Sequence, residues 1–506
     1  MSLNSVLPST EQTLGNLVKE VDLIGSTNFK ETKINNITNN SKEVMTGSLF
    51  VAVSGFNTDG HKYITEAINQ GAIAVIGERA VSIPQQIPYL QVVDARKALA
   101  QISSRFYGFP SQKLNLIGVT GTTGKTTTTM MIDHIINQLQ EKTGLIGTLH
   151  TKIGDEYYSN PHQCTTPEST VLNQRLAQME EKEINYVSME VSSHSLKLNR
   201  VWGLDFDIAI FTNLSCDHLN FHQTLEDYYK SKEKLFSTLK EDKIAIYNSD
   251  DSYSKRIINN TSAINYTYGI KNNSDLSAED IKINKQGIKF KLKVNNNLVT
   301  MNGKLIKPLS VEIRMPIIGY HNIYNTLAAF LSCLLLGFPL EKISSSLEKF
   351  TGVKRRMELI YDHDFSIIDD FAHNPSSLDS NFKTIERLDY NNLIIVNFLK
   401  GKRGIEANKQ NAQTITTWAN KLNLKEIITT RAEGEVIQKN KVLPAEEGAF
   451  VRIIAEEGIE ITTTAKLDSA LQLGLNKVEA GDLLLLLGGP GLNNGKKILN
   501  DFLCNS

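Results

Sequence analysis

The stretch Leu114-Asn-Leu-Ile-Gly-Val-Thr-Gly-Thr-Thr-Gly-Lys-Thr-Thr127 decides how this chain folds. Leu114 to Val119 is an apolar run that predicts a strand. Thr126 to Leu139 has the pattern of a helix. Glycines between them let the backbone curl so that several N–H groups face one anion. Lys125 adds a point charge, and the helix start adds its partial positive charge. The Thr126 hydroxyl suits Mg²⁺. The standard spacing of such loops places a glycine at position 119, where this chain has Val119. Strand, glycine loop and helix in this order predict a nucleotide phosphate site at Gly121, Thr122, Thr123, Gly124, Lys125, Thr126 and Thr127.

Working outward, Asn185 to Val191, Phe206 to Phe211 and Lys243 to Tyr247 are further apolar runs, each stopping at a polar residue. Fully apolar strands separated by helices predict a parallel sheet covered on both faces. Ligands of such sheets sit at the carboxyl ends of the strands, where Glu190, Asn213 and Asn248 lie. Glu190, in Met189-Glu-Val-Ser-Ser-His194, reads either as a magnesium carboxylate or as part of a helix-capping cluster. Its place beside the phosphate loop favours the metal. Phe211 to His222 carries two histidines and an aspartate, but the His218–His222 spacing lacks the glutamate of a zinc-enzyme helix. Asn213 and His218 suit a magnesium and phosphate environment better. Tyr228 to Phe236 carries three lysines, which charge pattern alone reads as a solvated helix face.

Residues 1 to about 110 show short strands, Ser48 to Val53 and Ala72 to Ile76, around a helical segment from His61 to Gln70. Tyr107 to Gln112 reads as a linker. Ile288 to Val294 alternates with period two, and with Asn295 to Asn297 it predicts a half-exposed hairpin decorating the central domain. After Phe350 a second series begins, with strands at Ser366–Asp370, 392–397, 425–429 and 482–487 and helices at 405–420 and 465–476. The expected fold is therefore α/β in three domains, residues 1–110, 111–350 and 351–506. The central one is a phosphate-loop parallel-sheet domain and the last one is Rossmann-like.

Lys plus Arg is 54 and Asp plus Glu is 55 in 506 residues, a net charge of −1. That balance argues against a chain built to grip nucleic acid or anionic lipid. Hydrophobic residues are 41% and charged ones 22%, which excludes disorder. Four cysteines without a Cys-x-x-Cys pair make neither a disulfide framework nor a metal knuckle, and a reducing cytoplasm is expected. Neither Leu327–Phe338 nor Leu483–Leu487 approaches the roughly 20 residues of a membrane span, and no secretory signal is visible.

Taken together, the motifs resemble the ATP-dependent Mur ligases, most closely their tripeptide synthetases. Asn40-Ser-Lys-Glu-Val-Met-Thr-Gly-Ser-Leu-Phe50 and Gly55-Phe-Asn-Thr-Asp-Gly-His61 resemble the uridine-binding domain of that family. The phosphate loop resembles the family's short version, which accounts for Val119. Thr165-Thr-Pro-Glu168, Met189 to Val201, Thr212 to His222 and Lys232 follow in order. Gly319-Tyr-His-Asn-Ile-Tyr-Asn325 resembles the adenine segment. Gly352-Val-Lys-Arg-Arg-Met-Glu358 and Asp370-Phe-Ala-His-Asn-Pro375 resemble the entrance to the C-terminal domain.

The resemblance implies a first domain for a UDP-linked sugar peptide, a second for ATP and a third for the incoming amino acid. It implies amide formation through an acyl phosphate, in peptidoglycan synthesis. Lys125, Glu190, His218 and Lys232 are the implied catalytic residues. Thr126 and Glu190 would hold a first Mg²⁺, and His218 would help hold a second, assisted by Lys232 as a lysine carbamylated by CO₂. Asn322 and Asn325 would bracket adenine, while Arg356 and Asp370 would reach ATP from the last domain. Ser41, Phe56 and Asn57 would contact uridine, and Thr165, Thr166, Ser192 and Arg200 the sugar peptide. A cytoplasmic monomer is expected.

Departures gather near the C-terminus. The Asp-Asn-Pro-Arg segment of diaminopimelate-adding members is replaced by Ile427-Ile-Thr-Thr-Arg-Ala-Glu-Gly434. Their Gly-Lys-Gly-His-Glu segment is replaced by Gly488-Gly-Pro-Gly-Leu-Asn-Asn-Gly495, and Arg355 precedes Arg356 where Gly is usual. Diaminopimelate is thus not supported as the amine from these segments. The alternative is a related ligase on another acid, such as a pseudomurein precursor, poly-glutamate, a folate or a tetrapyrrole carboxylate. The basic loop Lys400 to Asn408 reads either as an anion holder or as a solvated loop.

Overall fold

The computed structural model describes residues 12–26, 29–55, 58–160, 164–215 and 219–504. Phe56, Asn57 and His218 lie outside the described residues. The largest sheet runs in the order Glu156–Ser159, His150–Ile153, Thr143–Ile146, Tyr186–Glu190, Asn115–Thr120, Ile208–Phe211, Ile244–Asn248, Ile264–Gly269, Leu276–Asn284, Gly287–Val294 and Leu309–Met315. Its middle strands are parallel. Alternate side chains enter opposite cores. Ile117, Val119, Ile208 and Ile210 meet the helices Lys125–Gln138 and Tyr320–Leu335, while Leu116, Val187, Ala209 and Phe211 pack beneath the other face. Burial on both faces explains why these strands read as continuous apolar runs.

The expected decorating hairpin is a continuation of this sheet. Leu276 pairs with Tyr268, and Gly287–Val294 is hydrogen-bonded on both edges, to Leu276–Asn284 and to Leu309–Met315. Its turn falls at Lys285–Gln286, not at Asn295–Asn297, where the chain instead leads into the small Leu298–Val299 and Leu305–Ile306 pair. Period two told of one exposed face, but it carried no information on which strands would pair.

A five-stranded sheet precedes this unit, in the order Leu23–Ser26, Tyr89–Val92, Ala72–Gly77, Ser48–Ala52 and Asn36–Thr38. The helical segment expected over His61 to Gln70 begins as a 3₁₀ turn, Gly60–Tyr63, before Ile64–Asn69. The helix Ala95–Phe106 packs on the central helix Ser169–Glu181 and joins the two units. The linker is a tight corner, with Phe109 left-handed at φ 55° and Pro110 and Ser111 buried.

The six-stranded C-terminal sheet runs Glu358–Asp362, Ser366–Asp370, Leu483–Leu487, Leu393–Phe398, Leu424–Thr430 and Glu460–Thr464. All neighbours but the first pair are parallel. Leu483–Leu487 is wholly apolar because it lies between two strands and under helices on both faces. Among the described residues no helix is long and apolar enough to cross a membrane.

Candidate active site

The phosphate loop turns where its two glycines allow it. Gly121 has φ +151° and Gly124 has φ +87°. A Cβ on Gly121 would collide with the Thr212 hydroxyl, and one on Gly124 would stand 2.5 Å from Asn325 Oδ1. The loop is pinned from the next strand end. Asn213 Oδ1 accepts from the Thr123 N–H at 3.0 Å, and its carbonyl accepts from the Thr122 N–H at 2.9 Å. Gly124 caps the helix Lys125–Gln138, so the free N–H groups of its first turn open onto the loop.

Two lysines converge on one carbonyl. Lys125 Nζ donates to Gly121 O at 2.8 Å and to Thr122 O at 3.0 Å, and Lys232 Nζ donates to Gly121 O at 2.8 Å. Lys232 is 1% exposed, and its ammonium lies 4.5 Å from the centre of the Tyr228 ring. The solvated-face reading of its helix, Leu225–Ser237, therefore fails at this residue. Helical period, not charge, decides which lysine turns inward.

Glu190 ends its strand in register with Val119 and so stands beside the loop. It is 1% exposed, yet its carboxylate is held by oxygen and nitrogen donors alone. Thr126 Oγ1 donates to Oε2 at 2.9 Å, the Thr148 N–H to Oε1 at 2.7 Å, and Thr148 Oγ1 to Oε2 at 3.2 Å. Among the described residues no three His, Cys, Asp or Glu side chains gather as a metal cluster. One carboxylate, one hydroxyl and the oxygens of a phosphate make a donor set that fits Mg²⁺, which rarely takes an all-protein cage. Thr148 went unnoticed in the sequence because it lies on a separate turn after Thr143–Ile146, with no motif around it.

The polar chain continues outward. Thr165 Oγ1 lies 3.0 Å from Thr148 Oγ1 and can donate to it, and Thr166 Oγ1 donates to Glu190 O at 2.8 Å. The Ser192 N–H donates to Thr166 Oγ1 at 3.0 Å, and Arg200 donates to Thr166 O at 3.0 Å and pairs with Glu168 at 2.6 Å. Thr165, Thr166, Ser192 and Arg200 are thus one connected group next to Glu190. His222 is buried, with Nε2 2.9 Å from Ser193 Oγ, and burial together with the nearby His194 depresses its pKa to about 4.

Asn322 and Asn325 are brought to the loop but are turned inward. Asn325 Nδ2 donates to Asn322 Oδ1 at 3.0 Å, Asn322 Nδ2 donates to Ile318 O at 2.7 Å, and both side chains are almost fully buried. Next to them Tyr324 donates to Asp250 at 2.8 Å, a pairing that no sequence motif announced. Asp370 accepts from the Met357 and Ala372 N–H groups, both at 2.7 Å, and so holds the entry to the last domain. Arg356 lies 4.8 Å over Phe371. Burial lowers its pKa, while the charges of Asp370 and Glu190 oppose that shift.

Arg355 sits at φ +58°, a conformation glycine adopts more readily. Its guanidinium recovers the cost through Asp369 at 3.1 Å, Gly489 O at 2.8 Å, Asn493 Oδ1 at 2.8 Å and Gly488 O at 2.6 Å. The altered residue and the altered glycine segment are therefore partners. The basic loop already holds an anion from the chain itself. The Glu446 carboxylate accepts from the Lys402, Arg403 and Gly404 N–H groups at 2.9–3.1 Å. In the first unit Ser41 is buried in a turn after Asn36–Thr38, and His61 is tied to Asp59 at 2.7 Å and to the Glu78 N–H at 3.0 Å.

A phosphate loop and a buried carboxylate at the carboxyl edge of a parallel sheet, with a second α/β unit alongside, define an ATP-using enzyme. Three descriptions match in order along the chain. The Mur ligase family catalytic domain covers residues 33–107, the Mur ligase middle domain 119–333, and the Mur ligase glutamate ligase domain 355–489. The chain is 37% identical over 455 residues to the UDP-N-acetylmuramoyl-L-alanyl-D-glutamate–2,6-diaminopimelate ligase of Geobacillus kaustophilus (strain HTA426), covering 88% of each. A solved ligase of that same name has a TM-score of 0.67 at 23% identity, covering 98% of this chain and 100% of the other. MurF ligase from Thermotoga maritima in complex with ADP has a TM-score of 0.63 at 18% identity, covering 93% and 98%. This chain belongs to the Mur ligase family and is an ATP-dependent acid–amino-acid ligase.

Proposed function

We propose that this chain joins an amino acid to a carboxylate of the D-glutamate in UDP-N-acetylmuramoyl-L-alanyl-D-glutamate, a step of peptidoglycan synthesis. The observation that carries the reading is the unbroken polar chain from Thr126 through Glu190 and Thr148 to Thr165, Thr166 and Arg200. It runs from the phosphate loop to the group that would hold the sugar peptide. Residues 1–110 would take the UDP-sugar, 111–350 ATP and 351–506 the amine, in a cytoplasmic monomer.

In this reading the substrate carboxylate attacks the γ-phosphorus of ATP, ADP leaves, and an acyl phosphate forms. The amine then attacks the acyl carbon and inorganic phosphate leaves. Two anions must meet in the first step. Lys125 and the N–H groups at the start of Lys125–Gln138 answer the charge that develops there. Mg²⁺ held by Thr126 and Glu190 would screen the triphosphate, with His218 and a carbamylated Lys232 serving a second ion. A carbamate nitrogen keeps one N–H, so Lys232 could still donate to Gly121 O. Arg356 and Asp370 would close over ATP and keep water from the acyl phosphate.

The test is phosphate release from Mg-ATP with UDP-N-acetylmuramoyl-L-alanyl-D-glutamate and a panel of amines, with product masses recorded. The panel includes 2,6-diaminopimelate, as in the Geobacillus relative, and lysine. Release that needs both substrates, with one amino acid added, supports the reading and names the amine. Absence of release with every amine on the panel refutes it, and other carboxylates then replace the sugar peptide.

A further inference from the structure

The seam between the first and central units holds a cation that the mechanism has not used. Asp94 caps the helix Ala95–Phe106 and accepts from Asn199 Nδ2 at 3.0 Å. One turn on, the Lys97 ammonium lies 4.3 Å from the centre of the Trp202 ring. These contacts join the chain on either side of Arg96 to the chain on either side of Arg200, and the two guanidiniums act on each other across the seam. Burial lowers the Arg96 pKa and Arg200 adds to that shift, while Glu168, Glu78 and Asp94 work against it.

Three carboxylates stand near Arg96, yet each is bonded elsewhere: Glu168 to Arg200 at 2.6 Å, Glu78 to the Ala95 N–H at 3.0 Å and Asp94 to Asn199 Nδ2 at 3.0 Å. Among the described residues Arg96 has no hydrogen bond or ion pair through its guanidinium. Arg200 Nε is also buried without a partner. Half-buried guanidinium N–H groups without an acceptor are costly, and a bound carboxylate would supply one. The place is a single step beyond Thr166, whose hydroxyl touches Glu190 O.

We infer that Arg96 is a substrate-binding residue, and that it joins Arg200 across the seam to hold the carboxylate of the acyl donor that does not react. The inference rests on the reading above. D-Glutamate at the end of the donor peptide has one carboxylate to activate and one to spare. The spare group lies a few bonds from the reacting one, which matches the short path from Glu190 to Arg200. Because Arg96 comes from the first unit, only a docked first unit completes the site.

The experiment compares wild type with Arg96→Ala and Arg96→Lys on two donors, the acidic sugar dipeptide and its form with the spare carboxylate amidated. A charge-assisted contact of this kind predicts that amidation raises the wild-type KM for the donor about 10- to 100-fold. Arg96→Ala should raise the KM for the acidic donor similarly, and it should no longer distinguish acid from amide. Arg96→Lys should recover part of the loss, and the KM for ATP should stay within about twofold in all of them. Thermal unfolding of each variant separates binding from folding. An Arg96→Ala enzyme that still discriminates against the amide as wild type does would overturn the inference. So would a loss that vanishes only on a donor lacking the UDP group, since the anion would then be the diphosphate. A wild type that turns over neither donor removes the underlying reading and this inference with it, which is a different result from either of those.

Discussion

Replacing Glu190 by Gln removes one charge and almost no volume from the centre of the site. The carboxylate accepts three hydrogen bonds, from Thr126 Oγ1 at 2.9 Å, the Thr148 N–H at 2.7 Å and Thr148 Oγ1 at 3.2 Å. The amide can keep its oxygen on the Thr148 N–H, and its NH₂ then faces two hydroxyls that can rotate to accept. Folding should therefore lose only about 1 kcal/mol, or about 2–4 °C in Tm for a domain of this size. Catalysis should lose far more, because the neutral side chain no longer anchors Mg²⁺ beside Thr126. A fall of about 10²–10³ in kcat is expected, as when one preorganised charge-stabilising group is removed, together with a higher Mg²⁺ requirement. Phosphate release across a Mg²⁺ titration measures both, with thermal unfolding alongside. A Glu190→Gln enzyme within about fivefold of wild type, with an unchanged Mg²⁺ curve, would refute the role given to this carboxylate.

Three further predictions follow from the same geometry. Gly124→Ala places a Cβ at φ +87° and 2.5 Å from Asn325 Oδ1, so about 1–3 kcal/mol of stability and most ATP affinity should go; calorimetric ATP binding at wild-type strength would contradict it. Lys232→Ala should abolish ligation while leaving a folded protein, and short carboxylic acids should restore part of the rate; unchanged turnover would remove Lys232 from the mechanism. His222 is buried and neutral with a pKa near 4, below its unfolded value of about 6.5. The unfolded state therefore takes up the proton first, and stability is lost as pH falls through this window, by about 2 kcal/mol at pH 5 from this group. Urea unfolding at pH 7.5 and pH 5 measures the loss, and a His222→Gln variant with the same pH slope would count against the assignment.

The elements that the sequence announced most clearly are those whose burial pattern is local. Ser366–Asp370 falls where it was expected, and the strands Asn115–Thr120, Tyr186–Glu190 and Ile208–Phe211 lie within two residues of their apolar runs. The loop after Asn115–Thr120 needed only its glycines, Lys125 and Thr126 to be read. Glu190 was legible because a carboxylate at the end of an apolar strand is out of place without a partner. Thr148, Asp250 and Arg96 were not, since each stands in an ordinary surrounding and acquires meaning from a residue far along the chain. The basic loop at Lys400 stayed open between two readings for the same reason. Its anion, Glu446, comes from a helix some forty residues later.

The chain by itself determined where backbone could curl around phosphate, which strands would be buried on both faces, and which family its motifs resemble. Those are properties of residue type and near spacing. Only the tertiary structure decided which lysine of Leu225–Ser237 is buried against Gly121, that Arg355 and the 488–493 segment are partners, and that Arg96 meets Arg200 across the seam with its guanidinium unbonded. Charges and hydrogen bonds act over a few ångströms of space, and sequence distance says nothing about that separation until the strands have paired and the units have docked.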